Sequence, residues 1–225
     1  MSVPKAAAPC RSQRNRTARL ISVVVPLYNE IGNVAALISR LHDVLASLPH
    51  RCEIVLVDDG SRDGTWDAIV ARVAASPEPV EGDAAIIGCR LSRNFGHQAA
   101  LLAGLEAANG DAIITMDGDL QHPPEVIPDL VRRWLSGFDI VLTQRLDMAG
   151  TGTFKRLTSR WFYRLFSVLA EVELHEGSSD FRLIDRQVLR EILRLRDTSL
   201  FLRGTVEWIG FSKTTVPYNM AERFS

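Results

Sequence analysis

Apolar and polar positions follow one another in blocks along the chain, and the period changes from block to block. Residues 20–26 form a β-branched apolar run, the mark of a strand buried on both faces of a parallel sheet, and Pro26 ends it. Ile31, Val34, Ile38, Leu41, Leu45 and Leu48 then recur at steps of three and four, which predicts a helix with one core-facing stripe. The alternation continues with strand at 53–57, helix at 64–75, strand at 84–91, helix at 96–108 and strand at 111–116. A further helix starts at the Pro123-Pro124 pair, where a first-turn proline costs no hydrogen bond, and runs to about residue 136. Residues 140–143 are expected as the fifth strand. Such a rhythm implies right-handed βαβ crossovers and a doubly wound sheet. Beyond residue 145 it gives way to a Gly-rich loop, a long amphipathic helix over about 154–170, a polar stretch through Asp180, and mixed helix and strand to the end.

Ligands of open α/β sheets lie outside the carboxyl ends of the strands. Tyr28-Asn29-Glu30, Asp58-Asp59-Gly60-Ser61, Arg93-Asn94-Phe95-Gly96 and Asp117-Gly118-Asp119 each follow one expected strand directly, so all four should converge on a single edge. Any one of them alone could be no more than a turn or a helix cap. Asp117 and Asp119 are the sharpest pair: residues two apart in extended chain point the same way, their Cα atoms about 6.6 Å apart. Two like charges at that spacing repel by about 2–3 kcal/mol at an effective dielectric near 20, and a hard divalent ion removes the repulsion. Oxygen ligands favour Mg²⁺ or Mn²⁺, with Gln121 and His122 close enough to complete or orient the shell.

Composition narrows the alternatives. The 225 residues, 46% hydrophobic, suit one globular unit, and a net charge of −1 gives no global attraction to nucleic acid. Cys10, Cys52 and Cys89 are odd in number and scattered, as in reduced thiols of a cytosolic protein. No Gly-Xaa-Gly-Xaa-Xaa-Gly follows the first strand and no Walker loop is present, which disfavours a dinucleotide oxidoreductase or an ATPase. Residues 1–19 carry Lys5, Arg11, Arg14, Arg16 and Arg19 and no acid, which reads as a disordered basic tail or an electrostatic tether to anionic lipid. No uncharged apolar stretch reaches the roughly 18 residues that span a bilayer, so the chain is expected to be soluble or peripheral.

The motifs Pro26-Leu27-Tyr28-Asn29-Glu30, Val57-Asp58-Asp59-Gly60-Ser61, Arg93-Asn94-Phe95-Gly96-His97, Asp117-Gly118-Asp119-Leu120-Gln121 and Ser179-Asp180-Phe181-Arg182-Leu183 resemble those of the inverting glycosyltransferases of family 2. Within that family the chain is similar to the polyprenyl-phosphate sugar transferases, over residues 20–225 and through Arg203-Gly204, Trp208-Ile209-Gly210 and Glu222-Arg223-Phe224. The resemblance implies an α/β fold of GT-A type, a doubly wound, mostly parallel sheet flanked by helices, with an amphipathic interfacial helix. It implies transfer of a hexose, glucose from UDP-glucose being favoured, onto a polyprenyl phosphate at the membrane surface. Pro26, Tyr28, Glu30 and Asp59 would line the nucleoside pocket, with Asp58 nearby and Asp117 touching ribose or metal. Asp119 and Gln121 would bind the metal, and Asp180 would lie near the anomeric carbon, unless it merely caps a helix or turn before Phe181. Arg145 and the basic residues beyond it, among them Lys155, would meet the acceptor phosphate. Many relatives continue into transmembrane segments where this chain stops, an expectation that either truncation or another anchor would meet.

On the helix over 154–170, Leu157, Trp161, Leu165 and Val168 share one face bordered by Arg156, Arg160 and Arg164. That helix suits a lipid interface with its arginines at phosphate level, or else packing on the sheet. Arg182 and Arg203 are candidates for phosphate pairing through the guanidinium fork. The expected setting is the cytoplasmic face of a bacterial inner membrane, with a homo-oligomer left open. Rival readings are a family 2 enzyme with a soluble acceptor, mannosyl transfer from GDP-mannose, a noncatalytic nucleotide-sugar sensor, and a nucleotidyltransferase.

Overall fold

The structure, a computed structural model, describes residues 20–75, 84–146, 178–195 and 202–219. Its strands are β1 (Leu20–Leu27), β2 (Arg51–Asp58), β3 (Ala85–Arg90), β4 (Ala112–Thr115), β5 (Ile140–Arg145), β6 (Ser178–Asp185) and β7 (Lys213–Tyr218). The helices are α1 (Ile31–Leu45), α2 (Thr65–Ala75), α3 (His97–Ala107), α4 (Ile127–Leu135), α5 (Arg186–Arg194) and α6 (Leu202–Trp208). One sheet carries the strands in the order β3-β2-β1-β4-β6-β5-β7. β1 to β4 pair in parallel, as do β5 and β7, whereas β6 runs antiparallel between β4 and β5.

Two apolar layers cover the sheet. Val34, Leu37 and Leu41 of α1, Ile69 of α2 and Leu130 and Trp134 of α4 pack on Val23, Ile54, Ile114 and Leu183. Ala100 and Leu101 of α3, Val188 of α5 and Val206 of α6 pack on Val24, Val55, Ile113 and Ile184. α3 lies tightly on its face because Gly104 has no side chain: a Cβ there would stand 2.4 Å from Val24 Cγ1 and 2.8 Å from Val57 Cγ2.

The expected strand–helix rhythm holds through β5, with local corrections. Ile31 is half exposed and Leu48 lies past the end of α1, so the buried stripe is Val34, Leu37, Ile38, Leu41 and Leu45. The helix at the proline pair opens as a 3₁₀ turn, Pro124–Val126, before α4. β5 reaches Arg145, two residues further than expected. The larger correction is β6: Asp180 lies in a strand, neither in an irregular polar stretch nor at a cap. Phe181 and Leu183 point to one core layer, while Asp180, Arg182 and Ile184 point to the other, the period-2 alternation of a strand. Its two charges tolerate the interior because they pair with each other. Being antiparallel, β6 brings its first residues to the edge where β1, β2 and β4 end. The helix expected over 154–170 and the tail 1–19 lie outside the described residues.

Candidate active site

Three loops at the carboxyl edge are bound together by their own polar groups. Asn29, in the left-handed region at φ 53°, donates its N–H to Ser61 Oγ at 2.9 Å and accepts the Arg62 N–H on Oδ1 at 3.0 Å. Asp58 is fully enclosed; its Oδ1 accepts the Ser61 N–H at 3.1 Å and its Oδ2 lies 3.3 Å from Arg90 Nε. Asp59 accepts the N–H groups of Phe95 and Gly96, at 2.8 and 2.9 Å, on its two oxygens. Gly60 adopts φ +67°, and a Cβ on it would stand 2.4 Å from the Arg93 carbonyl carbon. Asp59 and Gly60 thus dock the loop 93–96 against the end of β2, leaving Phe95 and Tyr28 exposed at the edge. Pro26 is buried in β1, and Glu30, half-buried, accepts from Asn33 Nδ2 on Oε2.

The loop after β4 carries the acidic pair. Gly118 packs on Leu27, whose Cδ2 would lie 2.2 Å from a Cβ at that position. Leu120 is buried with φ 63°, a conformation that costs a non-glycine residue about 1–2 kcal/mol and is held here by its burial. Asp119 Oδ1 accepts the Gln121 N–H at 3.0 Å, closing a short Asx turn. Asp117 donates its main-chain N–H to His122 Nδ1 at 3.0 Å. Asp117 Oδ1 is buried and has no hydrogen-bond partner among the described residues, with His97 Nε2 3.5 Å away. Burial pushes the Asp117 carboxyl above its usual range, opposed by His97 and reinforced by Asp180 and Asp119.

His122 is locked as a neutral ring. Because Nδ1 accepts an amide N–H, the proton sits on Nε2, which lies 2.7 Å from Ser179 Oγ. Burial lowers its pKa, in agreement, so the 3.5 Å approach of Nδ1 to Asp117 Oδ2 is a contact and not an ion pair. The ring stacks on Phe181 at 5.3 Å and meets Tyr218 edge-on at 6.0 Å. With both ring nitrogens engaged, His122 orients the acidic loop and does not complete a metal shell.

Asp180 is the hub of the opposite wall. Thr115 Oγ1 donates to its carbonyl, fixing β6 against β4. Arg182 donates to Oδ1, Arg203 donates to Oδ2 at 2.8 Å, and His97 Nε2 lies 3.6 Å from Oδ2. Burial alone would raise the Asp180 pKa, but His97, Arg182 and Arg203 together hold it well below the carboxylate range. The Asp180 contact, helped by Asp117, raises the His97 pKa against the opposing effect of burial.

The structure therefore brings Asp117, Asp119, Asp180, Arg182 and Arg203 to one edge. Arg182 is not displayed to a phosphate, as the sequence suggested; its side chain is 4% exposed and committed to Asp180. Arg145 ends β5, exposed and in register with Tyr218. Lys155, Arg156 and Arg160 lie outside the described residues. Sequence reasoning gave His97, Ser179, Tyr218 and Glu207 no role, although His97 opens the helix after β3 and so stood at the right edge.

Among the described residues no three His, Cys, Asp or Glu side chains form a ready metal cluster. A hard divalent ion would suit the partnerless Asp117 oxygen and its acidic neighbour, completing its shell from phosphate and water oxygens, as Mg²⁺ commonly does.

Comparison with known proteins agrees with this arrangement. The family model "Glycosyl transferase family 2" matches residues 22–193. A bactoprenol glucosyl transferase of Shigella phage SfV is 38% identical over 203 residues, 90% of this chain and 64% of the relative. A prophage bactoprenol glucosyl transferase homolog of Escherichia coli K12 is 38% identical over 205 residues, 91% of this chain and 65% of the relative. The chain thus spans somewhat less than two-thirds of the length of these relatives. Among solved structures, glucosyl-3-phosphoglycerate synthase of Mycobacterium tuberculosis, in complex with Mn²⁺, UDP and glucosyl-3-phosphoglycerate, is 22% identical at a TM-score of 0.59, over 92% of this chain and 73% of that one. A Pyrobaculum calidifontis mannosyltransferase in complex with GDP-Man and Mn²⁺ is 21% identical at a TM-score of 0.58, over 92% of this chain and 57% of that one. The fold is accordingly GT-A, and the chain belongs to glycosyl transferase family 2.

Proposed function

We propose that this chain is an inverting glucosyltransferase domain that moves glucose from UDP-glucose onto a polyprenyl phosphate at the membrane surface. The observation that carries the reading is the similarity, over nine-tenths of the chain, to bactoprenol glucosyl transferases, joined to an acidic pair facing Asp180 across one sheet edge. Asp117 and Asp119 would hold Mg²⁺ or Mn²⁺, with Gln121 beside them. When bound, the ion supplies charge neutralisation to the diphosphate as it departs.

The remaining chemistry falls to the chain. Tyr28, Glu30 and the loops braced by Asp58 and Asp59 receive the nucleoside next to Pro26. A polyprenyl phosphate, with a second pKa of about 6, is already largely a dianion near neutral pH, so its oxygen attacks without a strong base. That oxygen bonds to the anomeric carbon as the carbon–oxygen bond to the diphosphate breaks on the far side, giving inversion. Asp180, ionised and engaged by Arg182 and Arg203, is a poor proton acceptor and serves to set Arg203 and His97 toward the reacting groups. Arg145, with Lys155, Arg156 and Arg160, would meet the acceptor phosphate. No helix among the described residues is long and apolar enough to cross a membrane, which is compatible with these residues working peripherally on the cytoplasmic face of the bacterial inner membrane.

The test is a panel of radiolabelled nucleotide sugars with undecaprenyl phosphate, with Mg²⁺, Mn²⁺ or EDTA. Lipid-linked product from UDP-glucose, lost in EDTA, is expected. Product from GDP-mannose alone, or only on a soluble acceptor, overturns the assignment, and full turnover in EDTA removes the metal.

A further inference from the structure

Behind Asp180 the same sheet face carries a second buried carboxylate for which the reaction has no direct use. Asp180 and Arg182 both face α3, α5 and α6 from β6. Arg182 is deeply buried, its Nη1 has no hydrogen-bond partner among the described residues, and Asp180 is already shared with Arg203 and His97. One divided carboxylate is a weak counterweight for an enclosed guanidinium. A second negative charge is Glu207, four residues after Arg203 on α6 and therefore one turn along the same helix face. Its carboxylate is 1% exposed, and its charge favours the ionised form of Arg182 while burial opposes it. Lys213, opening β7, donates to Glu207 Oε2 at 2.6 Å and to its carbonyl at 3.1 Å. Cations and carboxylates thus alternate through the interior, from partly exposed Lys213 past buried Glu207, Arg182 and Asp180 to Arg203, which is again partly exposed.

We propose that Glu207 is a positioning residue for sugar transfer: it balances Arg182 from behind, so that Arg182 fixes Asp180, which in turn aims Arg203 and His97. The proposal rests on the family 2 transfer reaction above but not on which sugar is moved. Glu207 sits on α6, held by Lys213 and one turn from Arg203, so its loss should spare nucleotide binding and slow the transfer step itself. A residue that only stabilised α6 would instead lower thermal stability and leave the turnover of folded enzyme unchanged.

The experiment compares wild type, Glu207→Gln and Glu207→Asp for melting temperature, Mn²⁺-dependent UDP affinity, and kcat and KM. Turnover is read on whichever nucleotide sugar and polyprenyl phosphate the wild type converts, so a wrong donor assignment leaves the test intact. Glu207→Gln is expected to bind UDP within about twofold of wild type while kcat falls roughly 10- to 100-fold, the cost of a misplaced reacting group. Glu207→Asp keeps the charge but withdraws it by one methylene, and should fall between, about three- to tenfold down. A folded Glu207→Gln with kcat within twofold of wild type overturns the proposal, as does a fall in kcat matched by an equal loss of UDP affinity. If Glu207→Gln does not fold, Glu207→Asp decides alone: a threefold or greater loss of kcat at unchanged UDP affinity supports the proposal, and a smaller loss overturns it.

Discussion

Ser179 Oγ lies 2.7 Å from His122 Nε2, and this bond ties the start of β6 to the loop that carries the acidic pair. Ser179 also accepts the Phe181 N–H at 3.2 Å. His122 completes the link by accepting the Asp117 N–H. Ser179→Ala would strand a buried imidazole N–H, at a cost of about 1–3 kcal/mol. Urea unfolding should show that loss, and Mn²⁺-dependent UDP binding should weaken with it, because Asp117 loses its anchor.

Asp117 shows the strain of a cation site before the cation arrives. Its folded pKa is raised, so its stabilising contribution is complete below the unfolded value near 3.9 and is lost as pH rises through the folded value. At neutral pH the ionised carboxylate therefore destabilises the metal-free protein. Asp117→Asn should raise the metal-free melting temperature and abolish the further rise that Mn²⁺ gives the wild type. Scanning calorimetry with and without Mn²⁺ checks both.

His97 titrates the other way round in charge. Its pKa is raised chiefly by Asp180, so the stability gained from the imidazolium is complete below the ordinary histidine value near 6.5 and fades as pH climbs through the raised value. NMR of metal-free protein should place the His97 transition above that of a free histidine, and Asp180→Asn should bring it down. The stability difference between wild type and His97→Ala should shrink toward alkaline pH.

Much of this was legible in the order of residues. Runs such as Val23-Val24-Val25 and Ile54-Val55-Leu56-Val57 can only be buried strands, and their ends located the loops at 28–30, 58–61 and 117–119 before any coordinates. β6 was not legible, because Asp180 and Arg182 interrupt its apolar pattern. Their burial depends on pairing with each other and with Arg203, and on the charge of Glu207, from a helix twenty and more residues away, which no local period encodes. The same blindness put Arg182 on the acceptor phosphate. For His122 the sequence left open whether it completes or orients the metal shell, because its partners, an amide of its own loop and a serine on β6, are visible only in three dimensions.

Gly60 offers a test of the donor loops that is independent of metal. At φ +67°, with Arg93 backbone atoms within 2.7 Å of an added Cβ, Gly60→Ala must shift the loop 93–96. A loss of about 1–3 kcal/mol in stability is expected from strain and overpacking. UDP affinity should fall as well, measurable by isothermal titration.

Asp119→Ala bears on the central claim most directly. Asp119 is half-buried and among the described residues makes one local bond, to the Gln121 N–H, so its removal should leave the fold intact. Transfer of labelled glucose from UDP-glucose to undecaprenyl phosphate should then fall by at least 1,000-fold, about 4 kcal/mol of transition-state stabilisation, with circular dichroism unchanged and added Mn²⁺ giving no rescue. A correctly folded Asp119→Ala that transfers glucose at the wild-type rate, or a wild type equally active in EDTA, would contradict the account.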